Sequence, residues 1–180
     1  MKLFKNVAIS LLLFSAFLTA PANASEATPL LDITNTDIAL VDNEAAILEY
    51  VVVQDRGLKL SFDMERAIAA GASPEILETG EIFNDYSLAV QDPYSRWANK
   101  VWGHWCGPRH SGPQAPMDDL DAACMRHDEC YGANGYFKCF CDANLIAEIE
   151  SIKGSFEGRK KHTANAIVAF FKAARLWCRK

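Results

Sequence analysis

Apolar positions in the second half of the chain recur at helical spacing over three segments, which predicts three helices. The first helix begins where Asp118 or Asp121 can cap it, because either side chain can accept from backbone N–H groups. It ends near Tyr131, with Gly132 at its C-terminal end. The small and polar residues that follow predict a turn.

The other two helices are predicted over residues 139–152 and 163–178. One apolar stripe runs along the last helix, and it consists of Ile167, Phe170, Phe171, Ala174 and Cys178. The stretch from 102 to 117 is rich in glycine and proline, which predicts a structured loop ahead of the first helix. The pattern therefore favours a mainly α fold.

The first half of the chain has a weaker pattern. Residues 42–54 fit a helix, although the β-prone residues 49–53 also fit a strand. Residues 58–62 alternate between apolar and polar positions, as a short strand does. A serine followed by a proline predicts the start of a helix over residues 73–90. None of these segments carries an obvious catalytic motif.

The N-terminus has the features of a secretory signal peptide. Two lysines precede an apolar run over residues 7–20, and Ala22-Asn23-Ala24 offers a cleavage site. An uncleaved anchor is the alternative, but the apolar run is short for a membrane span. Residues 1–24 are therefore predicted to be a signal peptide, and we expect a secreted or periplasmic protein.

Export changes the interpretation of the 6 cysteines, all of which lie after residue 105. In an oxidising compartment an even number of cysteines indicates a disulfide framework, with the connectivity still open. A zinc site is the alternative, but zinc sites usually contain Cys-x-x-Cys pairs and the sequence has none.

The formal net charge of −5 is unevenly distributed, since the acidic excess lies before residue 101 and the cysteine-rich half is mildly basic. This charge is too weak for a nucleic-acid-binding protein, which carries a strong basic patch. It is compatible with binding to an anionic surface.

The candidate chemistry lies on the first two helices of the second half. His127 faces the apolar side of the first helix together with Tyr131, and Asp128 lies on the next face. Asp142 lies on the apolar stripe of the second helix, where a carboxylate needs a partner. If the helices pack antiparallel, His127 is that partner. The pair then forms either an oriented general base or a structural His–Asp contact.

The loop over residues 105–112 can present backbone carbonyls to a hard cation, and Asp128 can add a charged ligand. Calcium accepts carbonyl and carboxylate oxygens with loose geometry, so this combination suggests a calcium site. An ordinary glycine-rich surface loop is the alternative.

Three motifs in this region resemble the secretory phospholipase A2 family. They are Trp-Cys-Gly with a following Ser-Gly at 105–112, Asp-x-x-Cys-x-x-His-Asp-x-Cys-Tyr at 121–131, and Cys-x-Cys-Asp at 139–142. The resemblance is greatest to the plant-like and bacterial members, while Cys178 is similar to the bee-venom type. The helix motif is highly specific, and the match covers about half of the chain that follows the signal peptide.

The resemblance implies a mainly α, disulfide-stapled phospholipase A2-like core with two antiparallel catalytic helices, a calcium loop and a C-terminal helix. This core is predicted over residues 96–180. Residues 25–95 form a mostly helical N-terminal extension without a counterpart in the family. Extra helices packed on the core are favoured there over a cleaved pro-segment.

The implied activity is calcium-dependent hydrolysis of the sn-2 ester of glycerophospholipids at a membrane surface or micelle, by a monomer. His127 would act as the general base, and Asp142 would orient it. Tyr131 would support Asp142, and the Gly107 amide would help to hold the oxyanion. A non-catalytic phospholipase-like protein that binds lipid or a receptor is the alternative.

Calcium is implied as the cofactor, held by Asp128 and by the carbonyls of Trp105, Gly107 and His110. The loop departs from the glycine-rich animal form at residues 108–110, so Arg109 is the alternative to His110.

The resemblance also implies a disulfide pairing. The pairs are Cys106–Cys124, Cys130–Cys141 and Cys139–Cys178. Ala123 stands where many animal members have a further cysteine, which fits a framework of only three bonds.

A lipase of this kind needs an apolar rim around its pocket. Four large apolar residues lie just before and within the calcium loop: Trp97, Val101, Trp102 and Trp105. We predict that at least one of them is exposed as part of the rim, and Trp102 is the candidate. Burial in the core is the alternative.

Overall fold

The computed structural model describes residues 43–54, 59–91, 101–175 and 178. The predicted signal peptide and Trp97 lie outside the described residues. Within the described part of the chain, no helix has the length and apolar character needed to span a membrane.

The described elements are mainly helices. In chain order they are α1 (Asn43–Glu49), β1 (Val51–Gln54), β2 (Lys59–Phe62), α2 (Met64–Ala69), α3 (Pro74–Gln91), α4 (Asp119–Asn134), α5 (Cys139–Ile152), a 3-10 turn (Lys153–Ser155) and α6 (Gly158–Ala174). Three disulfides hold the last part of this series together. The mainly α, disulfide-stapled fold class is confirmed.

The N-terminal elements are a short helix and a two-stranded antiparallel sheet. Both alternatives for residues 42–54 are confirmed in part, since α1 ends at Glu49 and the β-prone residues form β1. In the sheet, Val51 of β1 lies opposite Phe62 of β2. Leu60 and Phe62 are buried, as the alternating pattern predicts.

The α3 helix joins the N-terminal elements to the rest of the core. It begins where the serine–proline pair predicts, and it packs against α6. The rings of Phe83 and Tyr86 lie 5.8 and 4.6 Å from the ring of Phe170. A Cβ atom at Gly80 would lie 2.4 Å from the ring of Phe62, so the absence of a side chain lets β2 approach the helix closely.

The α4 and α5 helices pack against each other in antiparallel directions. Arg126 of α4 forms an ion pair with Glu148 of α5. Nearer the turn between the helices, a disulfide joins Cys130 to Cys141. The bounds of α5 agree with the prediction.

The C-terminal end of α4 differs from the prediction. The helix continues through Gly132 to Asn134. Gly135 follows with a φ of +90° and donates its N–H to the Tyr131 carbonyl at 2.7 Å. Of the two glycines in this turn, the second adopts a positive φ and ends the helix, so the predicted end at Gly132 was wrong.

The bounds of α6 also differ from the prediction. The helix begins at Gly158 instead of residue 163 and ends at Ala174, so Cys178 lies beyond it. Glu157, at the N-cap position, makes no side-chain cap hydrogen bond. The sequence therefore contained no capping signal at the true start.

The disulfides are Cys106–Cys124, Cys130–Cys141 and Cys139–Cys178. The pairing implied by the resemblance is confirmed. All of the cysteines are used, so no thiolate remains for the alternative zinc site.

Candidate active site

The loop that precedes α4 is anchored on a buried carboxylate. Asp121 is fully buried, and its oxygens accept hydrogen bonds from the backbone N–H groups of His104 at 2.9 Å, Trp105 at 2.8 Å and Met117 at 2.9 Å. Burial acts to raise the pKa of Asp121, but these backbone donors lower it below its ordinary value. The negative charge of Asp121 therefore fixes the path of the loop.

Close packing around this carboxylate requires a glycine in the loop. Gly103 has a φ of +56°, and a Cβ atom there would lie 2.0 Å from the carboxyl carbon of Asp121. Both the backbone conformation and the lack of space exclude a side chain at this position. The loop can therefore pack against the Asp121 carboxylate only with a glycine at position 103.

Trp102 contributes to the same anchoring and is not an exposed rim residue. Its Nε1 donates to Asp118 Oδ2 at 3.0 Å, and its ring packs against the core. Asp118 in turn caps α4 by accepting from the Asp121 N–H. The prediction that Trp102 forms the exposed rim was wrong, because the indole N–H has a partner inside the fold. Val101 is buried.

A histidine held by a buried carboxylate lies at the centre of the candidate site. His127 on α4 and Asp142 on α5 are 7% and 2% exposed. His127 Nε2 lies 3.0 Å from Asp142 Oδ1. The antiparallel helices thus bring together the pair predicted from the two apolar stripes. With Nε2 engaged, Nδ1 is the ring nitrogen left to exchange a proton.

Aromatic groups fix the histidine on two sides. Tyr131 donates a hydrogen bond to the same Asp142 oxygen, and its ring lies 4.2 Å from the imidazole. Burial raises the pKa of Tyr131, and the hydrogen bond and charge of Asp142 raise it further, so its hydroxyl stays a donor. The Phe171 ring meets the imidazole edge-on at 4.8 Å.

Asp128 lies next to the histidine and is paired with the loop. The Ser111 hydroxyl donates to Asp128 Oδ2 at 2.7 Å. Burial raises the pKa of Asp128, while the Ser111 hydrogen bond and the His127 side chain act in the opposite direction. A half-buried carboxylate of this kind is stabilised in its charged form by a cation.

A cavity of about 330 Å³ joins these groups. Five of the predicted catalytic and calcium-binding residues line it, together with Arg109, the alternative ligand: Trp105, Gly107, His127, Asp128 and Tyr131. Asp142 is outside the lining and contacts the site through His127 and Tyr131. The rest of the lining is largely apolar, with Ile167, Phe170 and Phe171 supplied by α6.

Sequence reasoning missed one wall of this cavity. Tyr86 and Val90 of α3 line it, although no chemistry was predicted for residues 25–95. The two residues are four positions apart on a helix and so share a face. That spacing is also typical of an ordinary core helix, so only the packing of α3 on α6 identifies the cavity wall.

The residues present fit calcium in their chemistry. Asp128 supplies a carboxylate, and the loop residues Trp105 and Gly107 line the same cavity. The Gly107 carbonyl accepts from the His110 N–H at 3.2 Å and retains a second lone pair. Among the described residues, no group of three or more acidic, histidine or cysteine side chains could hold a metal. A cation here would need backbone carbonyls, which calcium accepts readily.

The third predicted carbonyl ligand is less well placed than the other two. His110 is absent from the lining of the cavity, whereas Arg109, the alternative, lines it. Arg109 also has a φ of +63°, which turns the backbone sharply at this point. The choice between the two carbonyls stays a prediction.

Two exposed aromatic residues at the cavity lie in the turn between α4 and α5, and a third exposed aromatic residue follows at the start of α5. Tyr136 and Phe137 line the cavity and are 72% and 48% exposed, and Phe140 is 49% exposed. These three residues are called the aromatic rim below. Their exposure is the property that was expected of the tryptophans.

Curated proteins similar to this chain include phospholipases A2 and their homologs. A probable phospholipase A2 homolog 2 from Oryza sativa subsp. japonica is 38% identical over 64 residues, which cover 33% of this chain and 42% of that protein. The acidic phospholipase A2 homolog taipoxin gamma chain from Oxyuranus scutellatus scutellatus is 53% identical over 67 residues, covering 35% and 43%. The acidic phospholipase A2 6 from Naja sagittifera is 40% identical over 53 residues, covering 29% and 40%.

These matches confirm the resemblance to the phospholipase A2 family that the motifs carry. The chain spans about two fifths of the length of the curated relatives it matches. No family model matches the chain, and no solved structure matches it significantly.

Proposed function

We infer, from the relationship to the secretory phospholipases A2, that the protein is a calcium-dependent hydrolase of the sn-2 ester of glycerophospholipids. The observation that carries this proposal is the contact between His127 Nε2 and Asp142 Oδ1, with His127 and Asp128 both lining one cavity. A base and a cation ligand beside one apolar cavity fit the hydrolysis of a lipid ester.

In the proposed reaction, His127 Nδ1 removes a proton from a water molecule, and the water oxygen attacks the sn-2 carbonyl. Asp142 holds the N–H at Nε2, which leaves Nδ1 as the proton acceptor, and it stabilises the imidazolium that forms. When the intermediate collapses, His127 returns the proton to the leaving glycerol oxygen. Tyr131 keeps Asp142 in place through its hydrogen bond.

Calcium, when bound, supplies positive charge beside the phosphate and the reacting carbonyl. The proposed ligands are Asp128 and the carbonyls of Trp105, Gly107 and His110, with Arg109 as the alternative to His110. The Gly107 amide is proposed to donate to the developing oxyanion, where a donor in a water-poor site has its greatest effect.

We further propose that the aromatic rim contacts the lipid surface. Aromatic side chains suit the boundary between headgroups and acyl chains. The rim is continuous with the cavity, because Tyr136 and Phe137 belong to both. A lipid drawn from the surface would therefore pass these residues on its way to His127.

Secretion or export to the periplasm accords with the chemistry of the fold. Three disulfides require an oxidising compartment to form and persist. We propose that the protein acts in such a compartment on phospholipid membranes or micelles.

The decisive experiment measures fatty acid released from phosphatidylcholine labelled in its sn-2 chain, with calcium and with a chelator. The wild type is expected to release the label only with calcium. His127→Gln is expected to lower the turnover number by about 10²–10⁴-fold while calcium binding persists, because it removes only the base. Asp128→Lys is expected to abolish both, because it places a cation at the charged ligand.

A matched control is Asp119→Asn, which removes an exposed carboxylate from the same helix. The Asp119 side chain is 53% exposed and is paired with Lys160 on the surface. It is expected to leave release unchanged. Full activity of His127→Gln would disprove the proposed base. Calcium-dependent lipid binding without release by the wild type would favour the non-catalytic alternative.

A further inference from the structure

We infer that Tyr86 is a substrate-binding residue whose hydroxyl donates a hydrogen bond to an oxygen of the bound lipid beside the cation site. This inference rests on the proposed phospholipase function and deepens it. It adds a polar contact from α3, outside all of the motifs that resemble the family.

The position of Tyr86 is fixed by the core. It is 8% exposed, and its ring lies 4.6 Å from the ring of Phe170 and 6.0 Å from that of Phe171, both in edge-on geometry. These rings and Tyr86 itself line the cavity. A rigid ring carries its hydroxyl to a defined place, so a donor held in this way is already ordered before substrate binds.

The hydroxyl group of Tyr86 stays protonated in this environment. Burial raises the pKa of Tyr86, and the charges of Asp128 and then Asp142 raise it further, so the phenol keeps its proton at neutral pH. Among the described residues, Tyr86 makes no hydrogen bond to either carboxylate. Tyr131, by contrast, donates to Asp142.

Tyr86 lines the same cavity as Asp128 and Gly107, two of the proposed cation ligands. A buried tyrosine hydroxyl usually has a hydrogen-bond partner. A lipid held by a cation at Asp128 would bring two acceptors to this cavity: a phosphate oxygen and the ester carbonyl. Either acceptor would satisfy the phenolic donor.

The test uses Tyr86→Phe, which keeps the ring contacts and removes only the hydroxyl. Tyr50→Phe is the matched control, because Tyr50 is also 8% exposed and packs on Phe62 outside the cavity lining. The probe is a short-chain phosphatidylcholine analogue with an amide at sn-2, titrated in the presence of calcium. Tyr86→Phe is expected to weaken its binding about tenfold or more, with calcium affinity and melting temperature unchanged.

A second probe identifies the acceptor. It is the corresponding neutral amide without the phosphate headgroup. Weaker binding of the phosphate probe alone would assign the contact to the phosphate, and weaker binding of both would assign it to the acyl carbonyl. Tyr50→Phe is expected to bind both probes as the wild type does.

Two results would overturn the inference. Equal binding of the phosphate probe by Tyr86→Phe and the wild type would show that the hydroxyl meets only water or protein. Weaker binding together with a lower melting temperature and weaker calcium binding would assign Tyr86 to the fold. A wild type that binds the probe but releases no fatty acid would contradict the proposed function alone, and one that does not bind it would contradict both.

Discussion

Asp121→Asn is expected to release the loop that carries the candidate calcium site. The carboxylate receives the N–H groups of His104, Trp105 and Met117, with His104 shared between the two oxygens. An asparagine keeps one oxygen and places an NH₂ group where the other oxygen was. At least one backbone N–H group then faces the NH₂ group, which cannot accept a hydrogen bond. The remaining N–H groups donate to a neutral oxygen instead of a charged carboxylate.

The expected loss in the free energy of unfolding is about 3–5 kcal/mol, from one lost and two weakened hydrogen bonds to a buried charge. Asp119→Asn is the control on the same helical turn, and it is expected to cost less than about 1 kcal/mol because its ion pair is on the surface. Urea unfolding at neutral pH, followed by tryptophan fluorescence, measures both variants.

The pH dependence of the loss gives an independent check. The pKa of Asp121 is lowered in the folded protein, so its contribution is present above the pKa of the unfolded chain. That contribution disappears as the pH falls through the folded-state value. The stability difference between wild type and Asp121→Asn should therefore be constant near neutrality and shrink in acid.

Calcium binding provides the functional readout. Trp105 belongs both to the anchored backbone and to the cavity lining. Asp121→Asn is expected to weaken calcium affinity about tenfold or more, measured by calorimetry below its unfolding temperature, because carbonyl ligands must be held in place to bind. If Asp121→Asn matches Asp119→Asn in both stability and affinity, the anchoring role of Asp121 is refuted.

Three further predictions concern other parts of the site. Asp142→Asn is expected to lower the turnover number less than His127→Gln does, because an amide oxygen can still accept a hydrogen bond from the imidazole. Assays of fatty acid release measure the turnover numbers of both variants. Replacing Cys139 and Cys178 by serine is expected to lower the free energy of unfolding by about 2–4 kcal/mol, measured in urea. Phe140→Ser is expected to reduce activity on vesicles strongly and on monomeric short-chain substrate weakly, whereas Ile68→Ser, on an exposed site of α2, should change neither. Equal losses on both substrates would contradict the role of the rim.

Local signals predicted several elements of the fold because the decisive interactions are close in sequence. The serine–proline pair at 73–74 predicts the start of α3, and the bounds predicted for α5 agree with the structure. The end of α4 was not predictable, since Gly132 and Gly135 can each end a helix and only the backbone φ distinguishes them. Gly132 is tolerated inside α4 at a cost of about 1 kcal/mol.

The central pair of the site was predictable on physical grounds. A histidine and a carboxylate on the apolar faces of neighbouring helices each need a partner, and the antiparallel packing of α4 and α5 supplies it. The disulfide pairing came from the resemblance to a family, since cysteine spacing alone leaves the connectivity open.

The aromatic rim shows where sequence reasoning failed. Tryptophans before the loop suggested a lipid-contacting surface, but Trp102 donates its indole N–H to Asp118 and is part of the anchoring. The exposed aromatics are Tyr136 and Phe137, beside Gly135 in the turn, and Phe140 at the start of α5. Two aromatic residues in a tight turn have no core to enter, and this is the signal that could have identified the rim.

The contacts of α3 bear on the role of the N-terminal half. If an inhibitory N-terminal segment is cleaved off, the core that remains must keep its own apolar residues away from water. Here α3 places Phe83 and Tyr86 against Phe170 of α6, and Tyr86 and Val90 form a wall of the cavity that contains His127. Removing α3 would expose these apolar groups to water and open the cavity on that side. The division at residues 95 and 96 stays a prediction. Residues on both sides of that boundary line the cavity, which favours one domain over a catalytic core with a cleaved pro-segment.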